Sequence, residues 1–131
     1  MTSSHTSVGV LFVCLGNICR SPLAEGVFRD LLARRGVADR FVVDSCGTGG
    51  WHVGEPPDPR SVEVAADHGI DISSQRARQV SVADYRDFDV LVAMDRSNAA
   101  NLRGSAPKGA KARVVELMGY VPHRGQADVP D

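Results

Sequence analysis

The sequence predicts an α/β protein built on a four-stranded parallel sheet with flanking helices. Three features carry that expectation. Short β-rich apolar runs alternate with helical segments, and strand–helix–strand alternation is the pattern of parallel pairing. The first run, Val8–Cys14, reads Val-Gly-Val-Leu-Phe-Val-Cys, the continuous apolar stretch that a strand buried on both faces requires. A length of 131 residues suits one domain with a real core.

The elements follow in order. Residues 15–20 form a turn containing Gly16 and Asn17. Ser21-Pro22 opens a helix, with Ser21 as N-cap and Pro22 at the first helical position. Leu23, Val27, Phe28, Leu31 and Leu32 mark its apolar face, and Arg34-Arg35-Gly36 supplies a basic end and a stop. Residues 41–46 read as a second strand. Residues 47–59 hold four Gly and three Pro around Trp51, the composition of a long ordered surface loop. Residues 59–68 are helical and stopped by Gly69; 71–82 are irregular, with a short helical turn within 80–87. Residues 88–94 form the third strand, 97–103 a helix, and Arg113–Glu116 the fourth strand. There are no repeats, linkers or low-complexity segments.

Composition narrows the function classes. Fifteen Lys and Arg stand against sixteen Asp and Glu, a net charge of -1, so no global basic field draws the chain to nucleic acid or membrane. A phosphate would have to be captured by a local site. Residues 1–7 are polar and do not read as a signal peptide. The longest apolar runs are too short to span a bilayer. A cytoplasmic, monomeric protein is expected. Three cysteines, Cys14, Cys19 and Cys46, argue against a structural disulfide framework, and no Cys/His spacing fits a metal site.

The segment that carries chemistry is Cys14-Leu15-Gly16-Asn17-Ile18-Cys19-Arg20-Ser21. It lies between a strand and a helix, with five residues separating Cys14 from Arg20. A loop of this length can curl so that successive N–H groups point inward. Together with the positive end of the following helix they form an anion cradle. Gly16 permits positive φ, and Asn17 tolerates the left-handed region. Arg20 closes the cradle with a planar fork that bonds two phosphate oxygens. The same field favours a sulfur anion, which makes Cys14 a candidate nucleophile, with Ser21 as a hydrogen-bond donor to it. Cys46 reads as a buried structural thiol. Cys19 is either a bystander or a partner for a reversible disulfide with Cys14.

Residues 10–25, Val-Leu-Phe-Val-Cys-Leu-Gly-Asn-Ile-Cys-Arg-Ser-Pro-Leu-Ala-Glu, resemble the signature of the low-molecular-weight protein tyrosine phosphatases. Further matches follow in family order: Asp44-Ser45, Trp51-His52-Val53-Gly54, Pro57-Asp58-Pro59-Arg60, His68-Gly69-Ile70, Ala77-Arg78-Gln79 and Met94-Asp95-Arg96-Ser97-Asn98. The resemblance implies a flavodoxin-like topology and hydrolysis of phosphotyrosine in protein substrates through a phosphocysteine. It implies Cys14 as nucleophile, Arg20 as phosphate clamp, and Leu15, Gly16, Asn17, Ile18, Cys19 and Ser21 around the phosphate. Trp51 becomes a pocket wall, and Asn17 and Ser45 brace the loop. Asp95 supports the site or caps a helix. No metal or cofactor is implied, and inorganic phosphate and other oxyanions should inhibit. The general acid maps to Asp131, with Asp128 as its rival.

Two departures bear on this. The Pro-Tyr-Tyr that follows the acid in the family, and its closing helix, are not in the sequence, so a truncated chain is expected. Gln75 stands where many relatives have His. The alternatives are an arsenate reductase of the same fold, an arginine phosphatase, in which a Thr would stand at Ile18, and an oxyanion-binding module without turnover.

Overall fold

A computed structural model of the chain describes residues 7–120. Four strands, β1 (Val8–Cys14), β2 (Phe41–Gly47), β3 (Val90–Ala93) and β4 (Arg113–Glu116), form a sheet in the order β2-β1-β3-β4. Every pairing is parallel: Cys14 lies opposite Gly47, and Val13 lies between Cys46 and Ala93. Four α-helices connect and cover the strands: α1 (Arg20–Arg34), α2 (Pro59–Asp67), α3 (Asp84–Asp87) and α4 (Arg96–Ser105). The expected fold class is the observed one. Two 3-10 turns, Ala38–Arg40 and Leu117–Tyr120, were not legible in the sequence pattern.

The core explains why β1 is apolar at every position. Leu11 and Val13 point to one face, where they meet Tyr85, Leu91 and Leu102. Val10, Phe12 and Cys14 point to the other, with Leu32, Val43 and Met94. Alternate residues of a strand face opposite ways, and here both faces are covered. Strand order then selects the site. The chain leaves β1 for β2 on one side and crosses to β3 on the other. At such a switch point the carboxyl ends of the two central strands open a crevice, and in open α/β sheets ligands bind there. Cys14 ends β1, and Asp95 follows two residues after β3.

Helix α1 differs from the expected helix in two ways. It starts at Arg20 with Cys19 as N-cap, and no side chain caps it; Ser21 is already inside the helix. Its buried face carries Ser21, Pro22, Glu25, Gly26 and Leu32; of the predicted apolar stripe Leu32 is buried and Phe28 packs against the core, whereas Val27 and Leu31 do not face inward. Val27 and Leu31 are 48% and 43% exposed and line an open apolar groove of about 400 Å³ with Phe12, Phe28, Met94 and Leu117. The polar stripe faces inward because the site needs those groups, and Gly26 lets Ile72 close on the helix where a Cβ would lie 2.4 Å from its Cγ2. The side-chain caps at the other long helices are Asp58, which accepts from Arg60 N–H at α2, and Asp95, which accepts from Asn98 N–H at α4. No helix among the described residues is long and apolar enough to cross a membrane.

Candidate active site

The loop 15–19 is shaped by its carbonyls. Those of Cys14 and Leu15 accept from Thr48 and Gly49 N–H at 2.9 Å each, and that of Ile18 accepts from Asp58 N–H at 2.6 Å. The Cys19 carbonyl accepts from Leu23 N–H and Ser61 Oγ at 3.4 Å. With no cis peptide among the described residues, each peptide sends its next N–H the opposite way. The N–H groups of Leu15, Gly16, Cys19 and Arg20 therefore turn to the side away from these anchors, where the pocket lies. Asn17 N–H points at Cys14 Sγ, 3.2 Å away. This is a nest of donors at a helix N-terminus, an arrangement that binds anions.

The conformational demand falls differently from the sequence expectation. Asn17, with φ 59, is the positive-φ non-glycine among the described residues, and Gly16 does not need positive φ. Gly16 is small for another reason: a Cβ there would sit 3.0 Å from His52 Cδ2. Gly47 has a similar role, since its Cβ would meet Leu15 O at 2.7 Å and Gly16 C at 3.0 Å.

A pocket of about 200 Å³ opens above Cys14, lined by Leu15, Gly16, Ile18, Cys19, Arg20, Trp51 and His52. Asn17 and Ser21 lie beneath it, 3% and 0% exposed, so they reach a ligand through the sulfur and the backbone rather than as lining. Ser21 Oγ is 3.0 Å from Cys14 Sγ. Asn17 Nδ2 donates to Ser21 Oγ at 2.9 Å and to Ser45 Oγ at 3.0 Å, and its Oδ1 accepts from Arg78 N–H at 3.0 Å. Ser45 Oγ donates to Glu25 Oε1 at 2.7 Å, while Glu25 Oε2 accepts from Arg29 Nε at 2.7 Å. Arg29 also donates to the Val43 carbonyl.

Donor direction in this network is determined. An ionised carboxylate only accepts, so Ser45 spends its proton on Glu25 and must accept from Asn17. A backbone N–H only donates, so Asn17 must present its oxygen to Arg78 and its nitrogen to the two serines. Ser21 thus accepts from Asn17, and its hydroxyl faces two acceptors, Cys14 Sγ at 3.0 Å and the Cys46 carbonyl at 3.4 Å, the sulfur being the nearer. Arg20 Nη1 meets Asp95 Oδ2 at 3.0 Å, both groups less than one-fifth exposed, which orients the guanidinium at the pocket mouth. Asp95 thereby fills both of its candidate roles at once, one oxygen on Arg20 and the other capping α4. Burial pushes the Cys46 thiol well up, so this cysteine stays protonated.

A family model described as low molecular weight phosphotyrosine protein phosphatase matches residues 9–131. The chain belongs to that family. It is 47% identical over 124 residues to the low molecular weight protein-tyrosine-phosphatase YfkJ of Bacillus subtilis, covering 95% of this chain and 80% of that protein. It is 44% identical over 124 residues to the low molecular weight phosphotyrosine protein phosphatase of Sus scrofa, covering 93% and 78%. The crystal structure of YfkJ superposes with a TM-score of 0.91 at 45% identity over 98% of this chain and 81% of that one. A Drosophila arginine phosphatase is similar at a TM-score of 0.77 and 36% identity, over 84% and 70%.

Sequence reasoning missed three groups in this phosphatase-family site. Glu25 and Arg29 follow Ser21 at i+4 and i+8, a polar stripe on one helix face that was readable in principle. His52 was not singled out as a site residue, yet its ring packs on Gly16 and hydrogen-bonds to Glu55 at 3.2 Å. Arg78 is 61 residues from Asn17, and no local pattern points to it. Of the remaining candidates, Trp51 stands 70% exposed on the pocket wall. Asp131 and Asp128 lie outside the described residues. Gln75 donates to the Pro22 carbonyl at 3.1 Å and takes no part in the network beneath Cys14.

Proposed function

We propose that this chain hydrolyses phosphotyrosine in proteins, with Cys14 as nucleophile and Asp131 as general acid and base. Cys14 Sγ attacks phosphorus, and the bond from phosphorus to the tyrosyl oxygen breaks. Asp131 gives its proton to that oxygen as it leaves. A water then attacks the phosphocysteine while Asp131 takes its proton, releasing inorganic phosphate and restoring the thiolate. The loop N–H groups and the Arg20 guanidinium carry charge on the three non-bridging oxygens through both steps. The observation that supports this reading best is the sulfur of Cys14 at the floor of a small pocket at the head of α1, with donors from Asn17 and Ser21 on it.

The pocket wall suits an aryl ester. Leu15, Ile18 and Trp51 give apolar sides wide enough for a ring. An arsenate reductase relay would need two further exchangeable thiols, whereas Cys46 is fully buried and held protonated. Three free cysteines fit the reducing cytosol. Inorganic phosphate, as product, should compete with substrate.

The test is turnover of p-nitrophenyl phosphate and of phosphotyrosyl and phosphoarginyl peptides. Cys14→Ser should lose about 10⁴-fold or more in kcat while still binding inorganic phosphate. Rapid quenching of the wild type should trap a phosphocysteine. Asp131→Ala should slow phosphotyrosine far more than an ester with an acidic leaving group, because only the poor leaving group needs the proton. Equal turnover by wild type and Cys14→Ser would remove the covalent mechanism.

A further inference from the structure

We infer that Arg78 is a positioning residue for this reaction: its guanidinium, clamped between Asp44 and Asp84, fixes the backbone N–H that orients Asn17 beneath Cys14. The inference rests on the phosphatase reading given above and adds a residue that acts through Asn17.

Two sets of contacts meet at Arg78. Its side chain forms a fork on Asp84, Nη1 to Oδ2 at 3.0 Å and Nη2 to Oδ1 at 2.9 Å, while Nε reaches Asp44 Oδ2 at 3.0 Å. A planar fork on a carboxylate fixes direction as well as distance. Both anchors belong to the frame. Asp44 is in β2 beside Ser45, and Asp84 opens α3, buried, with Ser81 N–H on it at 2.7 Å. Burial works against the charge on Arg78, but the bonds to Asp84 and the charge of Asp44 outweigh it and hold the guanidinium above its ordinary range. Burial likewise opposes ionisation of Asp84, and the Arg78 and Ser81 bonds hold its carboxyl below its ordinary range. The Arg78–Asp84 fork therefore stays ionised and directional at neutral pH.

The main chain of Arg78 delivers that anchoring to the site. Its carbonyl accepts from Gly47 N–H at 2.8 Å, and Val80 N–H donates to the Gly47 carbonyl at 2.8 Å. Gly47 in turn is the residue pressed against Leu15 and Gly16. Arg78 N–H donates to Asn17 Oδ1. That bond and the Ser45–Glu25 bond are the two contacts that orient the Asn17 amide; without the Arg78 donor, only the Ser45 side holds the amide beneath Ser21 and Cys14. Asn17 holds positive φ, a conformation that persists only when its surroundings over-determine it. The segment joins the sheet only through an isolated bridge at Gly47, so the ion cluster adds a side-chain anchor to those backbone bonds in fixing the place of its N–H.

A merely structural Arg78 would lower stability and slow the enzyme regardless of what Asn17 does. A positioning Arg78 would lose its effect once Asn17 is gone. The experiment is a double-mutant cycle on Arg78→Met and Asn17→Ala, reading kcat/KM with p-nitrophenyl phosphate and the affinity for inorganic phosphate by calorimetry. Arg78→Met should cost on the order of 10-fold in kcat/KM in the wild-type background and less than about 2-fold in the Asn17→Ala background. Arg78→Lys should recover part of the loss, since it keeps the charge without the fork. The same loss in both backgrounds, or no loss in either, would overturn the inference. Should Arg78→Met not fold, Asp84→Asn removes the fork's partner at constant volume and is judged by the same criterion. A wild-type protein that fails to turn over p-nitrophenyl phosphate would sink the phosphatase reading, whereas the phosphate-affinity cycle would still decide the role of Arg78.

Discussion

The floor and the wall of the pocket are built on opposite terms. Ser21, Asn17, Ser45 and Glu25 in the floor are all at most 5% exposed, and each in that order is hydrogen-bonded to the next. The wall residues Leu15 and Trp51 are 53% and 70% exposed. A charge-stabilising site gains from donors that do not reorganise during reaction, and rigidity of that kind needs burial and full hydrogen-bond satisfaction. A recognition wall gains from apolar surface open to the partner. The difference teaches where each kind of substitution should act: floor changes on kcat and stability together, wall changes on KM alone.

The largest expected effect lies at the pocket mouth, outside the buried floor, where kcat should change without stability. Arg20→Lys keeps the charge beside Asp95 but loses the second phosphate contact, so kcat should fall about 10²- to 10³-fold with the fold intact. Steady-state kinetics alongside thermal melting reads both. Gly47→Ala comes next. Its Cβ would meet three backbone atoms, Leu15 O at 2.7 Å, Gly16 C at 3.0 Å and Asn17 N at 3.1 Å, none able to swing aside. Overpacking of this kind costs about 1–3 kcal/mol. Urea unfolding should show that loss, and kcat should drop with it because the cradle itself is displaced. If Gly47→Ala were as stable and active as wild type, the floor would not be the rigid part.

Trp51→Ala probes the wall. Removing an exposed ring should raise KM for aryl phosphates about 5- to 10-fold, in line with roughly 1 kcal/mol of ring stacking. It should leave stability within about 0.5 kcal/mol. A fall in kcat with KM unchanged would erase the contrast. The smallest effect is in the acid limb of stability. The Asp84 carboxyl is held below its ordinary range when folded. Its stabilisation is therefore complete above about pH 3.9, the unfolded value, and is lost as pH falls through the folded value. Urea midpoints taken downward from pH 5 should fall more steeply for wild type than for Asp84→Asn. Parallel curves would mean that Asp84 does not carry the linkage.

Much of the fold was readable because its signals are local. Val8–Cys14 is apolar throughout, and Cys14 and Arg20 follow it on one strand–loop–helix unit. Helix α1 was misread for a physical reason. Val27 and Leu31 look like core residues in a helical wheel, but the helix turns Ser21 and Glu25 inward. Polar groups at a buried face are disfavoured unless each finds a partner, and these partners come from other elements. The Gly16-Asn17 pair was read as one flexible unit. Asn17 alone takes the left-handed conformation, whereas Gly16 is small so that His52 can approach.

The sequence by itself determined which chemical groups meet at the switch point of the sheet, because a strand, a five-residue turn and a helix start are set by neighbours along the chain. Only the tertiary structure decided which way the hydrogen bonds beneath Cys14 run. That polarity depends on Ser45 and Arg78, 28 and 61 positions from Asn17, and on carboxylates at Glu25, Asp44 and Asp84 that reach it from a helix, a strand and a turn. Spacing along a chain has no term for such pairings; they exist once packing has removed water and left each donor a single acceptor to find.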